Sequence, residues 1–203
     1  MISKLHELPN STIYGCAEIE RENGMRVARA LSLSNYFQVH NERPNDYLGV
    51  MLEQVADFQT LDLGKRSVAI IIKRPDIRVI VVHLSFRFLG EHLHRKQIKK
   101  LLKYIGHKKP VIIMGDFNSA SWFKSRKLLK HAGFCSVFDA IGQKHPRTAP
   151  VKQYCHIYPW PFNKLRGIGF ASDDIYIRGC VAEACGSFEG ESDHAAVWAK
   201  IVV

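Results

Sequence analysis

Two nearly unbroken runs of β-branched and apolar residues, at positions 67–73 (SVAIIIK) and 77–84 (IRVIVVHL), constrain this chain more than any other feature. Side chains branched at Cβ fit a pleated strand and crowd a helix, so both runs read as strands. Arg74, Pro75 and Asp76 lie between them and supply turn chemistry, which predicts an antiparallel hairpin. A strand with one wet face alternates apolar and polar residues. These two do not, which points to central strands covered on both faces.

Over residues 91–105 the periodicity changes: Ile98, Leu101, Leu102 and Ile105 follow the three-four spacing of a helix, with Lys96, Lys99, Lys100 and Lys103 turned away and Gly106 as the stop. Residues 111–115 form a short buried strand that runs into Asp116-Phe117-Asn118. A second helix is expected over 122–131, ending before Gly133. Residues 142–169, rich in Pro, Gly and His, show no periodicity and read as a long loop, the kind that is usually functional. Strands at 174–178 and 195–203 close the chain. Mixed hairpins and helices at 203 residues predict one α+β domain, residues 1–203, with helices outside packed sheets.

With 46% hydrophobic and 24% charged residues, the chain is not of the disordered class. Its 29 Lys and Arg against 19 Asp and Glu favour a polyanionic partner, although a solvated basic face is the plainer reading of any one lysine. Five scattered cysteines without a CxxC pair suggest neither a disulfide framework nor a zinc knuckle. There is no apolar run of membrane-spanning length, so no stable membrane insertion and a cytoplasmic location are expected.

Four polar clusters stand where strands end: Glu18, His83 in Val82-His83-Leu84, Gly115-Asp116-Phe117-Asn118, and Ser192-Asp193-His194. Carboxylates can hold Mg2+, a carboxylate or histidine can activate water, and imidazole and amide donors can stabilise charge on phosphoryl oxygens. Each cluster also has a plainer reading. His83 could be a core histidine, Asp116 and Asn118 an Asx turn, His194 the start of the last strand, and Glu20 rivals Glu18.

Taken in order, these pieces resemble the endonuclease/exonuclease/phosphatase superfamily. Ile13 to Ile19 is similar to the strand that ends in its metal-binding Glu, Val82-His83-Leu84 to its histidine strand, and Gly115 to Asn118 to its GDFN motif. Arg95 and Gln97 fall where that family often has an R-x-Q helix; residues 172–179 are similar to its DHIFxRG-type strand and Ser192-Asp193-His194 to its terminal SDH. The resemblance implies a DNase I-like four-layer α/β sandwich of two mostly antiparallel sheets flanked by helices, and hydrolysis of phosphodiester or phosphate-ester bonds. It implies Glu18 and Asp193 at Mg2+ (or Mn2+), Asp116 at the attacking water and Asn118 at the phosphate or metal. His194 would lie on the scissile phosphate, oriented by Asp173, with His83 on a phosphoryl oxygen. Asp174 falls at a variable position.

The family's first strand, which ends in an Asn, has no counterpart here. Residues 2–8 read as the helix after it, and Asn10 lies in a turn, so the expectation is an N-terminally truncated fold with sheet edges to cover and room for a partner. For substrate, the basic charge favours a nuclease-like enzyme on nucleic acid, with Trp122, Tyr158 and Trp160 as candidate base-stacking aromatics. A sphingomyelinase-type phospholipid phosphodiesterase and a non-catalytic nucleic-acid-binding module with a degenerate metal site are the rivals.

Overall fold

Continuous apolar runs must be buried from above and below, and the architecture supplies both covers. The computed structural model describes residues 13–40, 47–65, 67–85, 90–151, 170–190 and 192–203. In chain order the elements are β1 (Ile13–Ile19), α1 (Arg21–Ala30), β2 (Asn35–His40), β3 (Tyr47–Leu52), β4 (Asp57–Asp62), β5 (Val68–Lys73), β6 (Arg78–His83), α2 (Glu91–Ile105), β7 (Val111–Asp116), α3 (Lys124–His131), β8 (Cys135–Ser136), α4 (Val137–Ala140), β9 (Asp173–Arg178), β10 (Val181–Phe188) and β11 (Ala196–Val202).

The expected hairpin is β5–β6, and it lies inside a six-stranded sheet of order β4-β5-β6-β7-β9-β8. Every pair in that sheet is antiparallel except β6–β7, which the helix α2 connects as a parallel crossover. Side chains alternate across the sheet. Ile71, Ile80, Val82 and Ile113 point to one face, where Ile98, Leu101 and Ile105 of α2 and Leu129 of α3 cover them. Ile70, Ile72, Val79, Val81, Ile112 and Ile175 point to the other face, where Leu48, Val50 and Leu52 of β3 meet them.

The second sheet layer comes in two parts, a three-stranded piece of order β1-β3-β2 and the hairpin β10–β11. Helix α1 lies outside the first piece. Its Gly24 is required there, because a Cβ would sit 2.1 Å from the Tyr36 hydroxyl of β2. Helix, sheet, divided sheet and helix make the four-layer sandwich that the resemblance implies.

Two details differ from the sequence reading. The helix expected from residue 122 starts at Lys124, because Phe123 is extended (φ −66°, ψ 152°) and Trp122 sits in the turn before it with 61% of its surface exposed. The strands β2, β3, β4, β8 and β10 and the helices α1 and α4 are additional to the elements expected. Cys16, Cys135, Cys180 and Cys185 are free thiols. Residues 2–8, Asn10, Cys155, Tyr158, Trp160 and positions 152–169 of the expected loop lie outside the described residues. No helix among the described residues is long and apolar enough to cross a membrane.

Candidate active site

Register alone brings three of the candidate residues together. His83 on β6 pairs with Asp116 on β7, and Asp116 pairs with Asp173 on β9, so the three stand side by side at one end of the six-stranded sheet. The row shares a face with Val79, Val81, Ile112, Ile175 and Ile177, the face turned to the divided sheet. Asp174 takes the opposite face. There it is fully buried, accepts from Ser136 Oγ at 2.8 Å, and pairs with Arg126 at 2.7 Å.

The backbone before Asp116 demands glycine. Gly115 has φ 134°, and a Cβ there would stand 2.0 Å from the Val82 carbonyl oxygen. After Asp116 the chain turns through Asn118 (φ 46°), whose N–H donates to Asp116 Oδ1 at 2.7 Å. The Asx turn of the plainer reading therefore exists, and it holds the carboxylate in place. Asn118 Nδ2 also donates to the Leu84 carbonyl at 2.7 Å, tying the ends of β6 and β7 together.

His194 comes from the other layer, just before β11. Its Nδ1 lies 2.9 Å from Asp173 Oδ2 and 4.0 Å from Asp116 Oδ2. A strap of residues 148–151 fixes this approach: Ala195 N donates to the Thr148 carbonyl at 2.8 Å and Val151 N to the Asp193 carbonyl at 2.9 Å. Thr148 Oγ1 accepts from Asp173 N at 2.9 Å, and Ser172 Oγ donates to Asp173 Oδ2 at 2.8 Å. Asp193 sits beside this strap, its Oδ1 accepting from Ser192 Oγ at 3.4 Å.

Glu18 arrives from the end of β1, where the pairing with β3 shifts register between Cys16 and Ile19 and Glu18 itself takes φ 53°. A glutamate in the left-handed region is uncommon, and irregularities of this kind re-aim side chains beside functional sites. Its Oε1 stands 3.8 Å from His83 Nε2, the same distance as Asp116 Oδ2 on the other side. Glu20 instead accepts from Asn23 at the start of α1, away from His83.

Electrostatics separate the two central groups. Burial, followed by the charge of Asp173, pushes Asp116 up to about 6, although His194, His83 and the Asn118 N–H pull the other way. Burial would lower His194. The hydrogen bond and charge of Asp173, with help from Asp116 and Asp193, outweigh it and raise His194 to about 10. An acceptor near neutrality thus stands beside a held cation, the divergence that marks acid and base partners.

A second ring of contacts holds the loop after β6. Gln97 Nε2 donates to Ser85 Oγ at 2.7 Å and to the Gly64 carbonyl at 2.9 Å, and His94 Nε2 is 2.8 Å from the Ser85 carbonyl. Ser67 Oγ donates to the His83 carbonyl at 2.6 Å. Of the two residues noted on α2, Gln97 is buried in this network and Arg95 is partly exposed.

Among the described residues, the acidic or imidazole group compact enough to surround an ion is Asp116, Asp173 and His194, with ligand atoms within 4.8 Å of one another. No protein-family model matches the chain, and no curated protein matches its sequence. Solved structures do match. D. rerio TDP2, complexed with single-stranded DNA product, superposes with a TM-score of 0.77 over 100% of this chain and 90% of its own, at 14% identity. An endonuclease/exonuclease/phosphatase from Bacteroides vulgatus gives 0.72 over 98% of this chain and 86% of its own, at 15% identity.

The chain has the endonuclease/exonuclease/phosphatase fold.

The catalytic domain of human Nocturnin, with bound sulfate anion, shares that fold at a TM-score of 0.69, 17% identity, and coverage of 95% of this chain and 80% of its own. Within the endonuclease/exonuclease/phosphatase fold of this chain, His83, Asp116, Asn118 and Asp173 stand at the end of the six-stranded sheet, His194 and Glu18 approach from the divided one, and Asp193, which accepts from Ser192, lies with Glu18 outside the compact group. Thr148, which helps position Asp173, was not singled out from the sequence, and Ser172 stood there only as the first residue of the 172–179 stretch, with no role. Thr148 lies in an aperiodic stretch 25 residues from its partner, so no local pattern signals it.

Proposed function

We propose that this protein is a metal-dependent hydrolase of phosphodiester or phosphate-ester bonds, nuclease-like in substrate, in which water attacks phosphorus. The observation that carries the reading is the set His83, Asp116, Asp173 and His194, with an acceptor near neutrality and a cationic imidazole facing the same space.

The donor set fits a hard divalent cation, since carboxylate oxygens suit Mg2+, with Mn2+ as the alternative. Asp116 and Asp173 stand in the compact group and would hold the ion, and by the resemblance Glu18 and Asp193, which lie outside that group, would join them. When bound, such a cation neutralises phosphate charge and polarises the phosphoryl oxygen.

The chain's own groups supply the rest. Asp116, held by the Asn118 N–H and raised toward neutrality, orients the attacking water and takes its proton. Protonated His194 donates Nδ1–H to Asp173, which leaves its other N–H to meet the scissile phosphate and pass a proton to the departing ester oxygen. His83 and the second amide hydrogen of Asn118 donate to the remaining phosphoryl oxygens. Thr148 and Ser172 act through Asp173 and are positioning residues.

Nucleic acid is the favoured substrate for two reasons. Lys96, Lys99, Lys100 and Lys103 of α2 and Lys124, Lys127 and Lys130 of α3 are all exposed on the outer helical layer. A similarly folded protein, TDP2, has been captured with single-stranded DNA product. The test is Mg2+-dependent hydrolysis of single- and double-stranded DNA, RNA, sphingomyelin and inositol phosphates by wild type, Asp116→Asn and His194→Ala. Each substitution is expected to lower turnover by about 10²–10⁴-fold without loss of folding. Absence of metal-dependent turnover on every substrate, with salt-sensitive nucleic-acid binding retained by all three proteins, would replace this reading with the binding-module one.

A further inference from the structure

A lone exposed tryptophan is ordinary on a protein surface and by itself calls for no explanation. Trp122 differs in how it is held and in where it stands. It lies in the turn between Asn118 and α3 and keeps 61% of its surface exposed. Two other rings brace it, Phe170 at 5.9 Å between centroids and Phe123 at 6.3 Å. Their planes are inclined to the indole at 51° and 75°, so neither is stacked on its face. A braced ring has little rotamer freedom left to lose when a flat ligand stacks on it.

The place is the rim of the candidate site. Helix α3 runs beside β9 from the catalytic end to the opposite one, since Arg126 reaches the Ser172 carbonyl and Asp174, while the Ala132 carbonyl accepts from Arg178. The turn before α3 is therefore at the catalytic end. Phe170 leads there too: its carbonyl accepts from Thr148 Oγ1 at 3.2 Å, and that oxygen accepts from Asp173 N at 2.9 Å. Two residues, Phe170 and Thr148, thus link the indole to Asp173. Charge follows the ring. Lys124 and Lys127 are exposed and carry no ion pair among the described residues, whereas Lys130, further along α3, is taken by Asp139 at 2.8 Å.

We infer that Trp122 is a stacking platform for an unpaired base flanking the scissile phosphate, and that a single-stranded nucleic acid leaves the site over it, its next phosphates met by Lys124 and Lys127. Resting on the nucleic-acid reading of the site, this platform adds a preference for single strands, because in a duplex each base face is covered by its neighbours. A membrane surface is the other taker of an exposed tryptophan. The remaining large exposed apolar residues, Met25, Val55, Val181, Val202 and Val203, stand on or beside other elements, so among the described residues lysines and not an apolar patch accompany Trp122.

The test titrates the full chain, in chelator to prevent turnover, with oligothymidylate, oligouridylate and an abasic oligomer of the same length and charge. Wild type should bind the tighter base-bearing strand, which names the sugar, about tenfold more tightly than the abasic one, with quenching of tryptophan emission. Trp122→Ala should lose that preference and leave abasic affinity unchanged; Trp122→Phe should keep most of the preference without the quench. Lys124→Ala with Lys127→Ala should weaken base-bearing and abasic strands alike and lower the salt slope by about 1.4. Equal binding of both kinds of strand by wild type, or a preference that survives Trp122→Ala, would overturn the inference. So would a blue shift of Trp122 emission on phosphatidylcholine and phosphatidylserine vesicles without any base preference. Adding Mg2+ separates the two readings: nucleic-acid turnover whose KM ignores Trp122→Ala leaves the hydrolase without the platform, and a base preference without turnover leaves the platform without the hydrolase.

Discussion

The two sheets share one core yet live in different mechanical conditions. In the six-stranded sheet, Ile70, Ile71, Ile72, Ile80, Val81 and Val82 are wholly buried, and β5, β6, β7 and β9 each have a neighbour on both sides. In the divided sheet, β1 and β11 have one neighbour each among the described residues, and none of their residues is in the buried class. A strand's rigidity comes from its two neighbours and two faces more than from its composition. The candidate site spans this difference: Asp116 and Asp173 are fixed by the stiff layer, and Glu18 and His194 are delivered by the looser one.

The sharpest way to break the stiff half is Arg126→Ala. The guanidinium is fully buried, pairs with Asp174 at 2.7 Å, donates to Tyr176 Oη at 3.0 Å and lies over the Phe117 ring at 4.1 Å. It also donates to the Ser172 carbonyl at 3.2 Å, next to Asp173. Removing it strands a buried carboxylate, and a loss of about 3–5 kcal/mol is expected in urea unfolding. Lysine should not rescue it, because the bonds need a planar fork.

A matched pair of glycines compares the layers directly. At Gly115 an added Cβ meets the backbone oxygen of Val82 at 2.0 Å with φ 134°, and relief would require parting β6 from β7. At Gly15 it meets side-chain atoms, Val81 Cγ1 at 2.7 Å and Met114 Cε at 2.9 Å, on a strand with one neighbour among the described residues. Gly115→Ala should therefore cost about 3 kcal/mol or more and Gly15→Ala about 1 kcal/mol, measured by chemical denaturation. Equal costs would mean that β1 is held as firmly as β7.

Asp116 tests what the stiff half gives up for the site. Its folded value, about 6, lies above the ordinary 3.8, so its carboxylate disfavours folding once ionised. The stability it contributes is complete below about pH 4 and is lost as pH rises through 6. In chelator at pH 8, Asp116→Asn should be more stable than wild type by on the order of 2 kcal/mol, a rise of roughly 5 °C in Tm, and the gain should vanish near pH 4. A variant less stable at pH 8 would show that the charged form is favoured where it sits.

The centre of the stiff layer was legible, although its edge strands β4 and β8 were not, and of the divided sheet only β1 and β11 were read. The central hairpin announces itself because burial on both faces removes polar residues from the sequence, and α2 is readable to both ends because its apolar stripe is regular and Gly106 stops it. The helix α1 is not readable in the same way. It is mostly polar and carries Gly24 in its middle, a poor helix former kept there by the Tyr36 ring, a contact visible only in three dimensions. Asp116 and His194 stand out as motif residues, but the register that lines up His83, Asp116 and Asp173 depends on strand order, which no local pattern encodes.

The smallest effect completes the comparison, because it holds distance constant. Lys200 on β11 and Glu183 on β10 form an ion pair of 2.7 Å, the same separation as Arg126 and Asp174. Both side chains are well exposed, at 64% and 46%, where those of the buried pair are at 0%. Water screens the attraction, and two long side chains lose rotamer freedom in making it, so Lys200→Ala should change stability by less than about 0.5 kcal/mol. Denaturant titration in low and high salt would check this, with a small effect at low salt that fades at high salt. A loss comparable to that of Arg126→Ala would mean the β10–β11 hairpin is desolvated in solution, as a covered edge would be, and would move β11 to the stiff side of the comparison.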